Sequence, residues 1–445
     1  MARPDVEYAR AADGAYLAYQ TFGNAPIEIF WQEDFLAMVD ELWDSPLDRA
    51  WHEGLAEFAR VSIYDRRGIG LSSRNVAPGN LETQVADLLT VLDAQEIERA
   101  VFGGFLESGA PNALLAATYP ERVQALVWIY PAPRTTAAPD FPWGVGPDYV
   151  RRELEILERW GTERWAREFI ELNSMVMGGP WGSEDYLRFI TSASRRTCTP
   201  DVAKELSRIW YDTDVRGVLP TIQAPMLLVT SEADDDLGLA RSIAARIPHA
   251  EIATFPGPYL EFEDFDPIHA AIRRFIGAER PPLGLDSVLA TILFTDIVGS
   301  TERAAALGDR GWQEVHERHD QIVRSELARY RGREIKRTGD GFLATFDGPA
   351  RSVHCALAIA EDVRRLGIEI RAGLHTGEIE LDADDVAGLT VAIGARVSAK
   401  AGPSEVLVSQ TVKDLTAGSG LVFTDRGEHE LKGVPGSWRL YAVEH

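Results

Sequence analysis

Ala290-Thr-Ile-Leu-Phe-Thr-Asp-Ile-Val-Gly-Ser-Thr301 runs as an apolar strand that delivers Asp296 at its end, before Gly299-Ser300-Thr301 turn into a helix. A carboxylate beside a glycine-containing turn and a helix N-terminus can hold Mg²⁺ and phosphate together. Taken alone, Asp296 could equally cap the helix. A second stretch, Ile335-Lys-Arg-Thr-Gly-Asp-Gly-Phe-Leu-Ala-Thr-Phe346, reads as a β-hairpin with Gly339-Asp340-Gly341 at its tip. Asp-Gly is a common hairpin turn, so Asp340 could be a turn residue and nothing more. If the hairpin lies beside the first strand, Asp296 and Asp340 would share divalent metal. Two such ions could activate an attacking hydroxyl and neutralise a leaving pyrophosphate.

Around these two stretches the pattern is mixed. It predicts a strand at Leu289 to Thr295, helices at Trp312 to Tyr330, Ala350 to Leu366 and Thr390 to Ala401, a strand at Glu369 to Thr376 and closing strands. Upstream, Gly277 to Asp286 contains Pro281-Pro282, which favours a stiff, extended connection. The expected division is therefore 1–280, a linker at 281–288, and 289–445. In the first part, strand-like runs at Tyr16 to Phe22, Ile27 to Trp31 and Arg60 to Tyr64 give way to alternating helices and strands, the rhythm of a parallel α/β sheet. Helix after helix from about Asp148 to Val218 reads as an insertion into it, a cap over about 134–218.

The chain is 445 residues long, more than one hydrophobic core usually serves. Hydrophobic residues make up 45% and charged residues 26%, as expected of folded domains. With 45 basic and 69 acidic side chains the net charge is -24, which disfavours nucleic acid and anionic membrane as partners. Cys198 and Cys355 are too few and too far apart for a disulfide framework or a zinc site. Met1 to Gly14 lacks the order of a secretory signal and no apolar run is long enough to span a bilayer, so a cytoplasmic protein is expected.

Phe294-Thr-Asp-Ile-Val-Gly-Ser-Thr301 and Lys336-Arg-Thr-Gly-Asp-Gly-Phe342 are similar to the two metal motifs of class III nucleotidyl cyclases. A third motif agrees in order: Asp385-Val-Ala-Gly-Leu-Thr-Val-Ala-Ile-Gly-Ala-Arg396 resembles the family's substrate-recognition and transition-state helix. It follows Arg371-Ala-Gly-Leu-His-Thr-Gly-Glu378, typical of the bacterial branch. The resemblance covers Leu283 to His445 and implies an α+β, ferredoxin-like catalytic domain. It implies that Asp296, Asp340 and the Ile297 carbonyl hold two Mg²⁺ or Mn²⁺ ions, with Gly299, Ser300 and Thr301 beside the phosphates. Lys336 and Asp385 match the pair that reads adenine: an ammonium donates to a ring nitrogen and a carboxylate accepts from the amino group, which prefers ATP to GTP. Arg396 matches the arginine that steadies the pentavalent phosphorus. Lys432, in Glu-Leu-Lys-Gly-Val-Pro, matches the lysine on the triphosphate. One departure stands out, because the family pattern places Asn four residues before the arginine to orient the ribose and this chain has Ala392. Since each site in this family forms between two cyclase domains, the resemblance also implies a homodimer.

Tyr64-Asp-Arg-Arg-Gly-Ile-Gly-Leu-Ser-Ser73 and Ala116-Ala-Thr-Tyr-Pro-Glu-Arg-Val123 resemble two landmarks of the α/β-hydrolases, a doubly wound sheet with a helical cap. That family needs a Gly-x-Ser-x-Gly elbow. Here the corresponding stretch is Gly104-Phe-Leu-Glu-Ser108, with Leu106 where the serine belongs and Ser108 two residues on. Pro256 to Asp266, where the general base is expected, contains no histidine, and Gln32-Glu33-Asp34 replaces the small sequence that supplies an oxyanion hole. An acidic cluster, Asp234-Asp235-Asp236, remains at the triad acid's place. A pseudo-hydrolase is expected, with Trp160, Trp165, Trp181 and Trp210 either lining a pocket for a small lipophilic ligand or filling the cap's core.

The combined expectation is a soluble adenylate cyclase that converts ATP to cyclic AMP and pyrophosphate at a homodimer interface, regulated by a hydrolase-like domain. Its alternatives are an ATP-binding sensor with a degenerate cyclase site, and a bifunctional esterase-cyclase using Ser108.

Overall fold

A computed structural model of the chain describes residues 1–33, 36–177, 184–256, 265–277, 287–382 and 385–444. It divides into two compact units, Met1–Gly284 and Leu285–His445. The expected linker, 281–288, lies largely outside the described residues.

The first unit is built on one sheet of eight strands: β1 (Glu7–Arg10), β2 (Tyr16–Phe22), β3 (Glu28–Gln32), β4 (Arg60–Tyr64), β5 (Ala100–Phe105), β6 (Val123–Ile129), β7 (Met226–Ser231) and β8 (Ala250–Phe255), ordered β1-β2-β4-β3-β5-β6-β7-β8. β1 and β2 are antiparallel to their neighbours and the rest run parallel. The central parallel strands are largely apolar and almost wholly buried because helices cover both faces. Those helices are α1 (Pro46–Ala56), α2 (Leu81–Ala94) and α3 (Gly109–Thr118), with α8 (Asp234–Ala244) and α9 (Asp266–Ile276) after the insertion. α8 follows β7 after a short turn.

Between β6 and β7 come α4 (Pro147–Ile156), α5 (Glu163–Met177), α6 (Glu184–Thr197) and α7 (Pro200–Asp212), the cap. Trp160 and Trp165 are buried in the cap's own core, their rings 4.4 Å apart, and Trp160 Nε1 donates to the Cys198 carbonyl at 3.0 Å. These two tryptophans are therefore core filling. Trp210 is half-buried against Tyr211, and Trp181 lies outside the described residues.

In the second unit β9 (Ser287–Ile297) is central. The hairpin β10 (Arg333–Thr338) and β11 (Gly341–Phe346) lies on one side of it, and β12 (Ile370–Asp382) on the other, followed by β14 (Val406–Ser409), β16 (Ser437–Val443) and β15 (Phe423–Glu430). A short strand, β13 (Asp385–Ala387), folds back on β12. Side chains alternate between the faces of a strand. Leu293 and Ile297 of β9 therefore join Ile370, Ala372 and Leu374 of β12 beneath α10 (Ser300–Arg329) and α11 (Pro349–Val363). The opposite face receives α12 (Leu389–Lys400), which approaches so closely that a Cβ on Gly373 would fall 2.0 Å from the Ser398 nitrogen. The last helix is α13 (Gln410–Leu415). α10 is broken at Gly308, whose φ of 70° interrupts the helical backbone. Among the described residues no helix is long and apolar enough to cross a membrane.

His375, on β12, is buried beside Trp438 and pairs through Nδ1 with Ser409 Oγ at 2.8 Å. Burial disfavours its charged form and lowers its pKa from the ordinary 6.5 to about 4. Between those values the unfolded chain binds a proton that the folded one does not, so stability falls as pH drops through this window. Denaturant unfolding followed from pH 7 to pH 4 should lose about 3 kcal/mol through this group. A His375→Gln variant should lose that much less over the same range, and an equal loss in both would refute the assignment.

Candidate functional site

Asp296 and Asp340 are 44 positions apart in sequence, and antiparallel pairing of β9 with β11 brings them to one end of the sheet. Phe342 pairs with Thr295, so the next position sets Gly341 against Asp296. The approach is close: a Cβ on Gly341 would fall 1.7 Å from the Thr295 carbonyl oxygen and 3.0 Å from Asp296 Cα. Only glycine fits there. Asp340 follows at the hairpin tip, after Gly339 with φ +71°. Both carboxylates are partly exposed, with side chains 35% and 36% accessible. Ile297 is buried, which leaves its main-chain carbonyl as the one group it could offer an ion. Gly299 adopts φ +65° and starts α10, putting Ser300 and Thr301 in the helix's first turn, where main-chain N–H groups are free to meet an anion.

Arg371 faces the first of these carboxylates. It pairs directly with Asp296 in the β9–β12 register and donates from Nε at 3.0 Å and from Nη2, both to Oδ2. The sequence reading gave Arg371 no such role, although the two-residue alternation of β9 and β12 would have put both side chains on one face once the register was known. Asp340 has a histidine neighbour, His316 Nε2 at 3.6 Å. His316, His319 and Asp320 lie together on α10. Arg337 fills the space between them, with Nη2 3.0 Å from His316 Nε2 and Nη1 3.2 Å from Asp320. This is an ion-paired network closed by a guanidinium.

The nucleotide-reading residues form a second group. Lys336 is exposed on β10, and Asp385 opens β13. The Asp385 side chain lies outside what the structure describes. Arg396 is exposed on α12, and its Nε donates to the Lys432 carbonyl at 2.9 Å, which ties the helix to the turn between β15 and β16. Ala392 is also exposed, one turn before Arg396 on the same face. Its methyl group offers no hydrogen bond.

In the first unit the elbow geometry survives without its nucleophile. Leu106 sits at the end of β5 with φ +43°, a left-handed conformation costly for a side chain. Ser108 is fully buried, and its hydroxyl donates to the Phe105 carbonyl at 2.6 Å. Among the described residues no histidine bonds to it. Glu107 instead pairs with Arg66 at 3.2 Å, and Arg66 also donates to the Glu33 carbonyl. Glu33 in turn meets the buried His52 at 2.8 Å. Ion pairs thus surround Glu33, in the stretch where an oxyanion hole would be needed, and none of them was visible in the sequence. Asp236, in the acid's place, accepts from Ser231. His269 is buried against Trp51, ring centroids 4.7 Å apart, and burial lowers its pKa. The expected base loop, 256–266, lies largely outside the described residues.

Residues 286–445 match the family model of the adenylate and guanylate cyclase catalytic domain. The putative adenylate cyclase 3 of Rhizobium meliloti is 30% identical over 159 residues, 33% of this chain and 26% of that protein, so the chain spans about a quarter of that relative's length. The putative carbamate hydrolase RutD of a Caulobacter species is 27% identical over 237 residues, 49% of this chain and 81% of the relative. The bromoperoxidase of Bacillus anthracis shares the fold of the first unit, with a TM-score of 0.53 at 18% identity, over 62% of this chain and 100% of that one. The class is a nucleotidyl cyclase catalytic domain joined to a unit of α/β-hydrolase fold.

The close approach at Gly341 is open to test by Gly341→Ala. The added methyl group must push β9 and β11 apart, which should destabilise the second unit by about 2 kcal/mol or more. Thermal unfolding with no loss of midpoint would show that the strands do not meet as described.

Proposed function

We propose that the C-terminal domain is an adenylate cyclase, converting ATP to cyclic AMP and pyrophosphate at two sites between paired copies of the chain. What carries this reading is the β9–β11 register, which supports a shared place for Asp296 and Asp340. Two carboxylates and a main-chain carbonyl are hard oxygen donors of the kind Mg²⁺ or Mn²⁺ takes. When bound there, two such ions would supply Lewis-acid activation of the attacking hydroxyl and charge neutralisation on the leaving group. The ribose 3′-hydroxyl attacks the α-phosphorus, its proton passes to solvent, and the bond to the β-phosphate oxygen breaks to release pyrophosphate.

The chain's own residues then divide the work. Asp296, Asp340 and the Ile297 carbonyl of one copy hold the ions, with Gly299, Ser300 and Thr301 beside the phosphates. Lys336 and Asp385 of the other copy read adenine, Arg396 faces the pentavalent phosphorus, and Lys432 meets the triphosphate. The tie between Arg396 and the Lys432 carbonyl supports a common task for these two cations. In the N-terminal unit, Leu106 at the elbow and buried Ser108 argue against ester cleavage, and the domain's place in this reading is a regulatory one, with a small lipophilic molecule as its ligand.

Ala392 favours one competing reading, an ATP sensor with little turnover. Purified chain incubated with ATP and Mn²⁺ should form cyclic AMP, and Asp296→Ala should reduce the rate by roughly a hundredfold or more. Supplying the missing orienting group with Ala392→Asn should raise kcat about tenfold. Absence of product from both the natural chain and Ala392→Asn, with ATP still bound, would favour the sensor.

A further inference from the structure

We infer that Arg371 is a positioning residue that occupies Asp296 while the divalent site is empty and must release it for a bridging ion to bind. The inference rests on the proposed metal role of Asp296. It goes further in assigning a task to a residue outside the metal and nucleotide motifs.

Two independent features lead to it. The backbone register makes Arg371 the direct cross-strand partner of Asp296, so both side chains rise from the same face of adjacent strands. The guanidinium then spends two nitrogens, Nε and Nη2, on a single oxygen, Oδ2. Two donors converging on one oxygen fix that oxygen and leave Oδ1 without a guanidinium contact. An ion approaching Oδ1 need not disturb it. An ion that must share Asp296 through Oδ2 has to displace the guanidinium, because two cations cannot occupy one lone-pair region.

The competition is limited in strength. Both side chains are more than a third exposed, 39% for Arg371 and 35% for Asp296, and solvent screens such pairs heavily. Arg371 therefore weakens metal binding without preventing it. Once displaced, the guanidinium remains at the mouth of a site that is to receive a triphosphate, and its positive charge suits that ligand. Divalent-ion occupancy in the absence of nucleotide is thereby kept low, and Asp296 is held in one orientation until an ion arrives.

The test measures Mn²⁺ binding to the full-length chain without nucleotide, by electron paramagnetic resonance of the free ion. Arg371→Met should bind Mn²⁺ about two- to fivefold more tightly than the natural chain. Arg303→Met removes an equal charge from α10 that donates to the Gly367 carbonyl, and should leave the affinity unchanged. Arg371→Lys, which keeps the charge but loses the paired donors, should fall between the natural chain and Arg371→Met, and it serves if the methionine variant does not fold. Equal or weaker Mn²⁺ binding in folded Arg371 variants, with binding still lost in Asp296→Ala, would overturn the role of Arg371 alone. Equal tightening in Arg303→Met would reduce it to a general charge effect and overturn it too. Mn²⁺ binding that Asp296→Ala leaves intact would overturn the metal reading, and this inference with it.

Discussion

The second unit depends on how closely β11 can approach β9 at Gly341. A single methyl group there would collide with the Thr295 carbonyl, so the hairpin can carry its aspartate to the end of the central strand only because that position has no side chain. Register and chemistry are coupled at this point. A slip of one residue would turn Asp296 toward the α10–α11 core and Ile297 toward solvent, burying a charge and exposing an apolar group. Hydrophobic alternation along β9 and the glycine opposite its end therefore enforce the same alignment.

With the carboxylates fixed, the charges around them need compensation. Asp296 and Asp340 each have a nearby partner on the protein, Arg371 for the first and the His316–Arg337 network for the second. These partners come from different elements, β12 for one and α10 with β10 for the other. The two carboxylates are thus steadied separately while remaining accessible, the condition an exchangeable ion requires.

The N-terminal unit keeps the geometry of a strand-to-helix elbow around an apolar side chain. The strand-to-helix turn after β5 still takes a left-handed residue, now Leu106, although nothing nucleophilic is presented there. Phe105 and Leu106 pack against the large core formed by Trp31, Trp51 and Val127. That packing offsets the backbone cost, of roughly 1–2 kcal/mol for such a conformation. The retained strain is then a consequence of sheet and helix geometry, with no bearing on acyl transfer. Arg66, Glu107, Glu33 and His52 fill the space with paired charges, stable only when each has its partner.

What could be read from the sequence was local in character. The strand ending in Asp296, the Asp-Gly hairpin and the missing serine at position 106 are short-range signals, since alternation and turn chemistry are written in consecutive residues. Strand register across a sheet is not local. Arg371 lies 75 residues from Asp296, and their pairing follows only once β12 is known to run antiparallel beside β9. The same reason hid the pairing of Arg66 with Glu107 and of Glu33 with His52, which join elements separated in sequence. β1 escaped because a short edge strand with one buried residue carries almost no hydrophobic pattern. On α12, by contrast, spacing alone places Ala392 and Arg396 on one exposed face, and the structure adds the bond from Arg396 to the Lys432 carbonyl. That bond constrains the guanidinium through Nε and leaves its terminal nitrogens for a ligand. A neighbour able to hydrogen-bond at position 392 would gain from this fixed orientation, and a methyl group there leaves it unused.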